Sequence, residues 1–199
     1  MENKKNAFLE ITGQACSGKT SFLSKKVSTE ENFLIYTSGN FRKIINFISG
    51  LRYLGILKIK ILFKFTLKER GSLYFKMNVF RNAIAKFGIF NHLNKLKKYS
   101  KTIVIDEGIS HLPFLFLETK TEEVVDFISN ELKQIQVIFL ISLDRNVIKS
   151  RMKYRGHKRL RFLPLDDFLD KNNSIEQSLL TKYPDLCSNL IVPEYVEDL

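Results

Sequence analysis

Short apolar runs alternate with longer amphipathic stretches along the 199-residue chain. The apolar runs are rich in β-branched and aromatic residues and stop at turn or polar residues, which is typical of strands. They predict strands at residues 8–12, 33–37, 103–106, 137–141 and 190–192. Strands that are apolar throughout and alternate with helices favour a parallel sheet covered on both faces. The pattern therefore predicts an α/β fold.

The stretches between these runs have helical periodicity. It predicts helices at residues 18–27, 122–134, 144–154 and 174–182. Residues 41–100 also have a mostly helical, amphipathic pattern. Glycine weakens a helix, so we expect breaks in that segment near Gly50, Gly55, Gly71 and Gly88. The segment is then a helical insertion between the second and third strands.

The composition favours one domain over residues 1–199. The mass is 23.2 kDa, and a hydrophobic fraction of 44% is sufficient for a core. Two cysteines, Cys16 and Cys187, form no disulfide framework. The sequence has no uncharged apolar run of about 18 residues, and the first apolar run is too short for a signal peptide. We therefore expect a soluble, cytoplasmic protein without a transmembrane segment.

The positive charge is concentrated in one segment. The net charge of the chain is +11, and residues 41–101 contain 15 basic residues against the single acid Glu69. Three interpretations remain open for this basic segment. It is a solvated helix face, or the site of an anionic small-molecule acceptor, or a contact with an anionic membrane surface or nucleic acid.

Residues 13–20 contain the strongest motif in the chain. They match Gly-x-x-x-x-Gly-Lys-Ser/Thr at every fixed position, between a predicted strand and a predicted helix. The glycines let backbone N–H groups surround a phosphate at a helix N-terminus. Lys19 can reach the β- and γ-phosphates, and the Thr20 hydroxyl can bind Mg²⁺. The predicted nucleotide-binding residues are Gly13, Gln14, Ala15, Cys16, Ser17, Gly18, Lys19, Thr20 and Ser21.

An acidic pair follows the third predicted strand. In P-loop proteins an Asp such as Asp106 holds Mg²⁺ directly or through water, or takes a proton from the attacking hydroxyl group. Glu107 is the alternative base. Ile109 occupies the position where a GTPase needs glycine, and no guanine-reading motif follows. ATP is therefore the expected nucleotide.

A basic helix and loop follow the fourth predicted strand. Arg151 and Arg155 are four residues apart and so share one helical face. Guanidinium groups at this point can bind the transferring phosphoryl group and neutralise its charge in the transition state. Three more cations follow, Lys158, Arg159 and Arg161.

The order of these motifs resembles that of the nucleoside and nucleotide kinases of the P-loop superfamily, and most of all their thymidylate-kinase-like branch. The resemblance implies a three-layer P-loop NTPase fold with a five-stranded parallel sheet, and Mg·ATP as the phosphoryl donor. It also implies a lid over residues 151–165 and acceptor-binding helices in residues 41–101. Members of this branch are often homodimers.

The resemblance makes four arginines candidates for the acceptor site: Arg42, Arg52, Arg70 and Arg81. Arg42 is preferred because it follows the second strand by a few residues, near the ligand-binding edge of a parallel sheet. The predicted function is ATP-dependent phosphoryl transfer to a small anionic acceptor such as a nucleotide or nucleoside. The alternative is a P-loop ATPase or regulatory switch that acts with a protein, membrane or nucleic-acid partner, in which Glu107 polarises water.

Overall fold

The structure is a computed structural model that describes residues 8–24, 32–36, 40–95, 101–156 and 158–191. Its strands lie in the order β2-β3-β1-β4-β5, and every neighbouring pair is parallel. The strands are β1 (Phe8–Thr12), β2 (Phe33–Tyr36), β3 (Thr102–Asp106), β4 (Val137–Ser142) and β5 (Cys187–Ile191). The predicted parallel α/β architecture is confirmed.

The register of the sheet determines where the two sequence motifs meet. β1 is buried along its whole length between β3 and β4. Ile11 is the register partner of Asp106 on one side and of Phe139 on the other. The carboxyl ends of β1 and β3 are therefore adjacent, at the edge where parallel sheets bind ligands.

Helices cover the sheet and form the predicted insertion. They are α1 (Lys19–Phe22), α2 (Asn40–Lys68), α3 (Leu73–Lys95), α4 (Leu112–Leu115), α5 (Thr121–Phe127), α6 (Ser129–Leu132), α7 (Arg145–Arg155) and α8 (Leu165–Lys182). Two short 3₁₀ helices span Ile109–His111 and Lys158–Arg161. The larger core cluster joins α2, α3 and α8 to the sheet.

Two predicted helices have different bounds in the structure. The helix expected at residues 122–134 is two short helices, α5 and α6, separated by the buried Ile128. α8 begins at Leu165 rather than near residue 174. Pro164 precedes it, and Asp166 and Asp167 lie in its first turn, where acidic side chains favour the helix dipole.

Gly50 and Gly88 do not break a helix, so this part of the prediction is wrong. Both lie where α2 and α3 cross, and a Cβ at Gly50 would be 2.0 Å from the carbonyl oxygen of Ile84. A Cβ at Gly88 would be 1.7 Å from the carbonyl oxygen of Asn46. The expected break at Gly55 is confirmed, since its φ of 64° and ψ of 174° are not helical. Gly50 and Gly88 let two long helices pack backbone against backbone.

Some predicted positions lie outside the described residues. They are residues 25–27 of the first predicted helix, residue 37 of the second strand and residue 192 of the last strand. In the described part of the chain, no helix is both long enough and apolar enough to span a bilayer.

Candidate active site

The loop between β1 and α1 has the backbone conformation that a phosphate cradle needs. Gly13, Cys16 and Gly18 all have positive φ, at 131°, 64° and 91°. A Cβ at Gly13 would be 2.4 Å from the carbonyl oxygen of Ile141, so glycine is required there. The hydroxyl of Ser17 is buried and has no hydrogen-bond partner among the described residues. This unpaired hydroxyl fits a site that binds a phosphate oxygen.

Lys19 bends back over its own loop. It is only 7% exposed, and its Nζ donates hydrogen bonds to the carbonyl oxygens of Gly13 at 3.1 Å and Gln14 at 2.7 Å. The same ammonium lies 3.3 Å from Oε1 of Glu107. This contact brings the loop and the acidic pair after β3 together. The sequence predicts this proximity, because both motifs are assigned to one site.

The backbone of Glu107 is held in an unusual conformation. Its φ is 54°, in the left-handed region that costs a non-glycine residue about 1 kcal/mol. Its N–H donates to the carbonyl oxygen of Ile11 at 2.9 Å, and Lys86 Nζ donates to its carbonyl oxygen. These two bonds fix the turn that directs the carboxylate to Lys19.

The surroundings of the acidic pair shift the pKa values of its two carboxyl groups in opposite directions. The pKa of Glu107 is lowered to about 2 by His111, Lys86 and Lys19, against the effect of burial. Burial lowers the pKa of His111 well below its usual range and also lowers the pKa of Lys86. Partial burial and the neighbouring Glu107 raise the pKa of Asp106.

His111 connects the acidic pair to the end of β1. Its Nε2 lies 3.6 Å from Oε2 of Glu107, and its Nδ1 lies 3.1 Å from the hydroxyl of Thr12. The ring stacks on Phe114 with a centroid separation of 5.2 Å. His111 therefore contacts Glu107 through Oε2, whereas Lys19 is paired with Oε1.

Glu10 is a site residue that the sequence analysis missed. It is buried in β1 and accepts hydrogen bonds from the backbone N–H groups of Ile109 at 3.0 Å and Ser110 at 2.8 Å. A Cβ at Gly108 would lie 2.1 Å from its Oε1. Glu10 thus fixes the segment after the acidic pair. The sequence does contain a signal for Glu10, because it is the single acidic residue in a predicted strand that is otherwise mostly apolar.

Glu176 of α8 is a second missed residue. Its Oε1 accepts the backbone N–H of Gln14 at 3.3 Å, and its Oε2 accepts the Gln14 side-chain amide at 3.4 Å. Burial raises the pKa of Glu176 to about 7. The last long helix therefore contacts the phosphate loop directly. Because Glu176 is 162 residues from Gln14, no local pattern indicates this contact.

A cavity of about 600 Å³ opens beside the acidic pair. Asp106 and Glu107 lie on its wall, and α2 and α3 provide most of the rest. Its cations are Lys43, Arg81 and Lys86, and Arg81 makes no ion pair within the described residues. Its other lining residues are Ile44, Asn46, Phe47, Asn82, Ala85, Ile89 and Leu115.

The four candidate acceptor arginines lie in different places. Arg81 lines the cavity, whereas Arg42 is exposed and is not among the lining residues that the structure describes. Arg52 lines a separate depression of about 250 Å³ between α2 and α3. Arg70 pairs with Glu118 at 3.3 Å. The cavity therefore favours Arg81 over the residue preferred from the sequence.

The predicted lid begins at the phosphate loop and ends away from it. Arg151 Nη1 donates to the carbonyl oxygen of Cys16 at 3.4 Å, whereas Arg155 is exposed at the last position of α7. Arg159 is turned inward, with Nη2 2.9 Å from the Leu115 carbonyl oxygen and Nη1 3.9 Å from Glu69. Arg151 is thus the member of the predicted lid that the structure places against the loop.

The two predicted Mg²⁺ ligands are both near this site. Thr20 is exposed in α1 directly after Lys19, and Asp106 ends β3 beside β1. Ser21 is also exposed in α1. The described residues contain no cluster of three or more His, Cys, Asp or Glu side chains arranged to bind a metal. A Mg²⁺ that arrives with a nucleotide takes most of its ligands from phosphates and water.

The chain was compared with known proteins. No protein family matches it, and no curated protein sequence does. Its structure is similar to that of a deoxyadenosine kinase from M. mycoides with bound dCTP, at a TM-score of 0.51 and 14% sequence identity. The similarity covers 96% of this chain and 92% of that one. The chain therefore shares the overall fold of that kinase. The comparison does not select the thymidylate-kinase-like branch.

Proposed function

We propose that this chain is a P-loop kinase that transfers a phosphoryl group from Mg·ATP to a small anionic acceptor, such as a nucleotide or nucleoside. The observation that carries the proposal is the position of the acidic pair. Glu107 lies 3.3 Å from the P-loop lysine and also lines the 600 Å³ cavity. A donor phosphate on the loop and an acceptor in the cavity would then meet at Asp106 and Glu107.

The donor side would act through charge and position rather than through covalent chemistry. Lys19 would exchange its contacts with the loop carbonyls and Glu107 for contacts with the β- and γ-phosphates. Thr20 and Asp106 would hold the Mg²⁺, which neutralises charge on the phosphates when it is bound. Arg151 already contacts the loop at Cys16, so its guanidinium group would neutralise charge on the γ-phosphate during transfer.

The acceptor side would use the cations of the α2–α3 cavity. Arg81 has no ion-pair partner within the described residues, so an acceptor phosphate or polarised base edge can bind it without displacing a carboxylate. Asp106 or Glu107 would accept the proton of the attacking hydroxyl group. A nucleoside-type acceptor is supported by the structural similarity to a deoxyadenosine kinase.

The test is ADP release from Mg·ATP by the purified protein, alone and with a panel of nucleosides, nucleoside monophosphates and sugar phosphates. A single acceptor or acceptor class that raises ADP release many-fold is the expected result. The Lys19→Ala protein is the blank, and Lys133→Ala is the matched control because Lys133 is exposed at the end of α6. Equal rates with every compound and with none would contradict a kinase.

The second candidate is an ATPase or switch, and the Asp106–Glu107 pair favours it because such a pair can position water. It predicts ADP and phosphate release at a steady rate that no acceptor changes. Asp106→Asn and Glu107→Gln separate the two mechanisms further. In a kinase, at least one of them lowers transfer to the acceptor while the affinity for ATP is retained.

A further inference from the structure

The second half of α2, after the kink at Gly55, turns an apolar and basic side to solvent. Leu62, Phe65 and Thr66 are buried on the opposite side. At about 100° per residue, the exposed residues of this half fall within an arc of about 160°. We call six of them the outer face of α2, namely Ile56, Leu57, Lys60, Ile61, Lys64 and Leu67.

The outer face is much more apolar than the solvent side of an ordinary helix. Ile56 is 74% exposed, Leu57 is 78%, Leu67 is 52% and Ile61 is 38%. A helix on the surface of a soluble domain normally presents polar residues there. Exposed apolar side chains that lie together mark an interaction site. Phe63 lies in the same arc but packs edge-on against Phe80, at a centroid separation of 5.8 Å.

The charge of the outer face is entirely positive. α2 and α3 contain no Asp or Glu. Two lysines of α2, Lys58 and Lys68, pair with carboxylates of α6 and α5. Lys60 and Lys64 make no ion pair within the described residues. Within the described residues, the outer face therefore presents two ammonium groups without an ion pair, between aliphatic side chains. A partner that matches this surface must be both anionic and apolar.

We propose that the outer face of α2 binds an anionic lipid surface. The helix would lie parallel to the membrane, with the aliphatic side chains in the boundary between headgroups and acyl chains. Lys60 and Lys64 would contact lipid phosphates, to which anionic bilayers attract basic residues. The outer face contributes no residue to the lining of the 600 Å³ cavity, as far as the structure describes it. Membrane binding and phosphoryl transfer are therefore compatible.

Two other occupants fit the outer face less well. In a symmetric dimer the same surface faces itself, so Lys60 and Lys64 would approach their own copies with no acid on α2 or α3 to neutralise them. Nucleic acid complements the charge, but single strands need aromatic platforms for their bases. The most exposed side chains here, Ile56 and Leu57, are aliphatic.

The test is co-sedimentation of the full chain with two kinds of vesicle. One is phosphatidylcholine alone, and the other contains roughly one-third phosphatidylglycerol. We expect binding to the anionic vesicles only. Lys60→Glu/Lys64→Glu should lower the partition coefficient at least about tenfold, and Ile56→Gln/Leu57→Gln about tenfold. The charge-matched control is Lys101→Glu/Lys153→Glu, which should change it less than about twofold because both lysines are exposed and neither lies on α2 or on a helix that pairs with α2 within the described residues.

Four outcomes would overturn the proposal. One is no binding to anionic vesicles, and another is an equal loss in the charge-matched control. The third is binding of a short RNA that depends on Lys60 and Lys64 but not on Ile56 and Leu57. The fourth is a concentration-dependent dimer, detected by sedimentation velocity without vesicles, that Ile56→Gln/Leu57→Gln dissociates. Circular dichroism of each variant confirms that the fold is intact.

Discussion

The phosphate loop and the α2–α3 cavity are built in different ways. Residues 13–20 are consecutive, and their shape depends on glycines with positive φ and on backbone contacts with β4. The cavity combines side chains of α2, α3, α4 and the end of β3. The proposed donor site is thus fixed by backbone and the proposed acceptor site by side chains. A change of acceptor specificity therefore requires no change in the loop, and the two regions can be tested separately.

Lys19→Ala should have the largest effect. The substitution removes the ammonium group that would contact and neutralise the donor phosphates. The kcat should therefore fall by about 100- to 1,000-fold with every acceptor. The change is measured as ADP release at saturating ATP. Because Lys19 would act only on the donor, the fall in kcat should be the same for every acceptor. A fall that varied strongly among acceptors would mean that the phosphate loop and the cavity do not act separately. A fully active variant would refute the P-loop assignment.

Gly88→Ala should destabilise the acceptor region most. The new Cβ would lie 1.7 Å from the Asn46 carbonyl oxygen, so α2 and α3 must separate, at a cost of about 3 kcal/mol. The comparison is Gly156→Ala, where no atom lies within 4 Å of the new Cβ and only the left-handed backbone conformation, with φ 64° and ψ 60°, is unfavourable, at about 1 kcal/mol. Urea unfolding measures both. Equal losses would mean that the helix crossing is not tight.

Glu176→Gln should change how stability depends on pH. The Glu176 pKa is raised from 4.5 to about 7, so the folded protein favours the neutral acid. The wild type should therefore lose about 2 kcal/mol of stability relative to the variant as the pH rises from 5 to 8. The amide introduced by the substitution can still bond to Gln14, whose Oε1 has no partner within the described residues. Thermal unfolding at both pH values measures the difference. A constant difference would mean that Glu176 does not titrate in this range.

Arg81→Ala should have the smallest effect and the most specific one. It removes a cation from the cavity, so the KM for an anionic acceptor should rise about tenfold while the KM for ATP stays the same. Arg42→Ala is the matched variant. If Arg42→Ala raised the KM for the acceptor more than Arg81→Ala did, Arg42 would be the acceptor-binding residue, as preferred from the sequence. The acceptor would then bind nearer the start of α2.

The conformation of the proposed donor site could be predicted from sequence because its geometry is local. The motif at residues 13–20 specifies the loop conformation. The strand before this motif and the strand that ends at Asp106 are parallel, so their carboxyl ends are expected at the same edge of the sheet. Glu176 could not be found in this way, because α8 reaches Gln14 only through the tertiary fold. Its role depends on packing between distant elements.

The lining of the proposed acceptor site was harder to predict because it depends on how two helices cross. Arg42 is close to β2 in sequence, but α3 returns along α2 and brings Arg81 to the cavity. Gly50 and Gly88 give the same sequence signal whether they end a helix or let another helix approach. Only the tight contacts with Ile84 and Asn46 distinguish the two.

The inward side chain of Arg159 links the predicted lid to the cavity. It contacts Glu69, the residue that follows α2, and Leu115, which lines the cavity. A displacement of α2 on acceptor binding would therefore reach the predicted lid. Thermodynamic linkage is reciprocal, so the acceptor would change the affinity for ATP by the same factor as ATP changes the affinity for the acceptor. We expect the Kd of each substrate to depend on whether the other is bound.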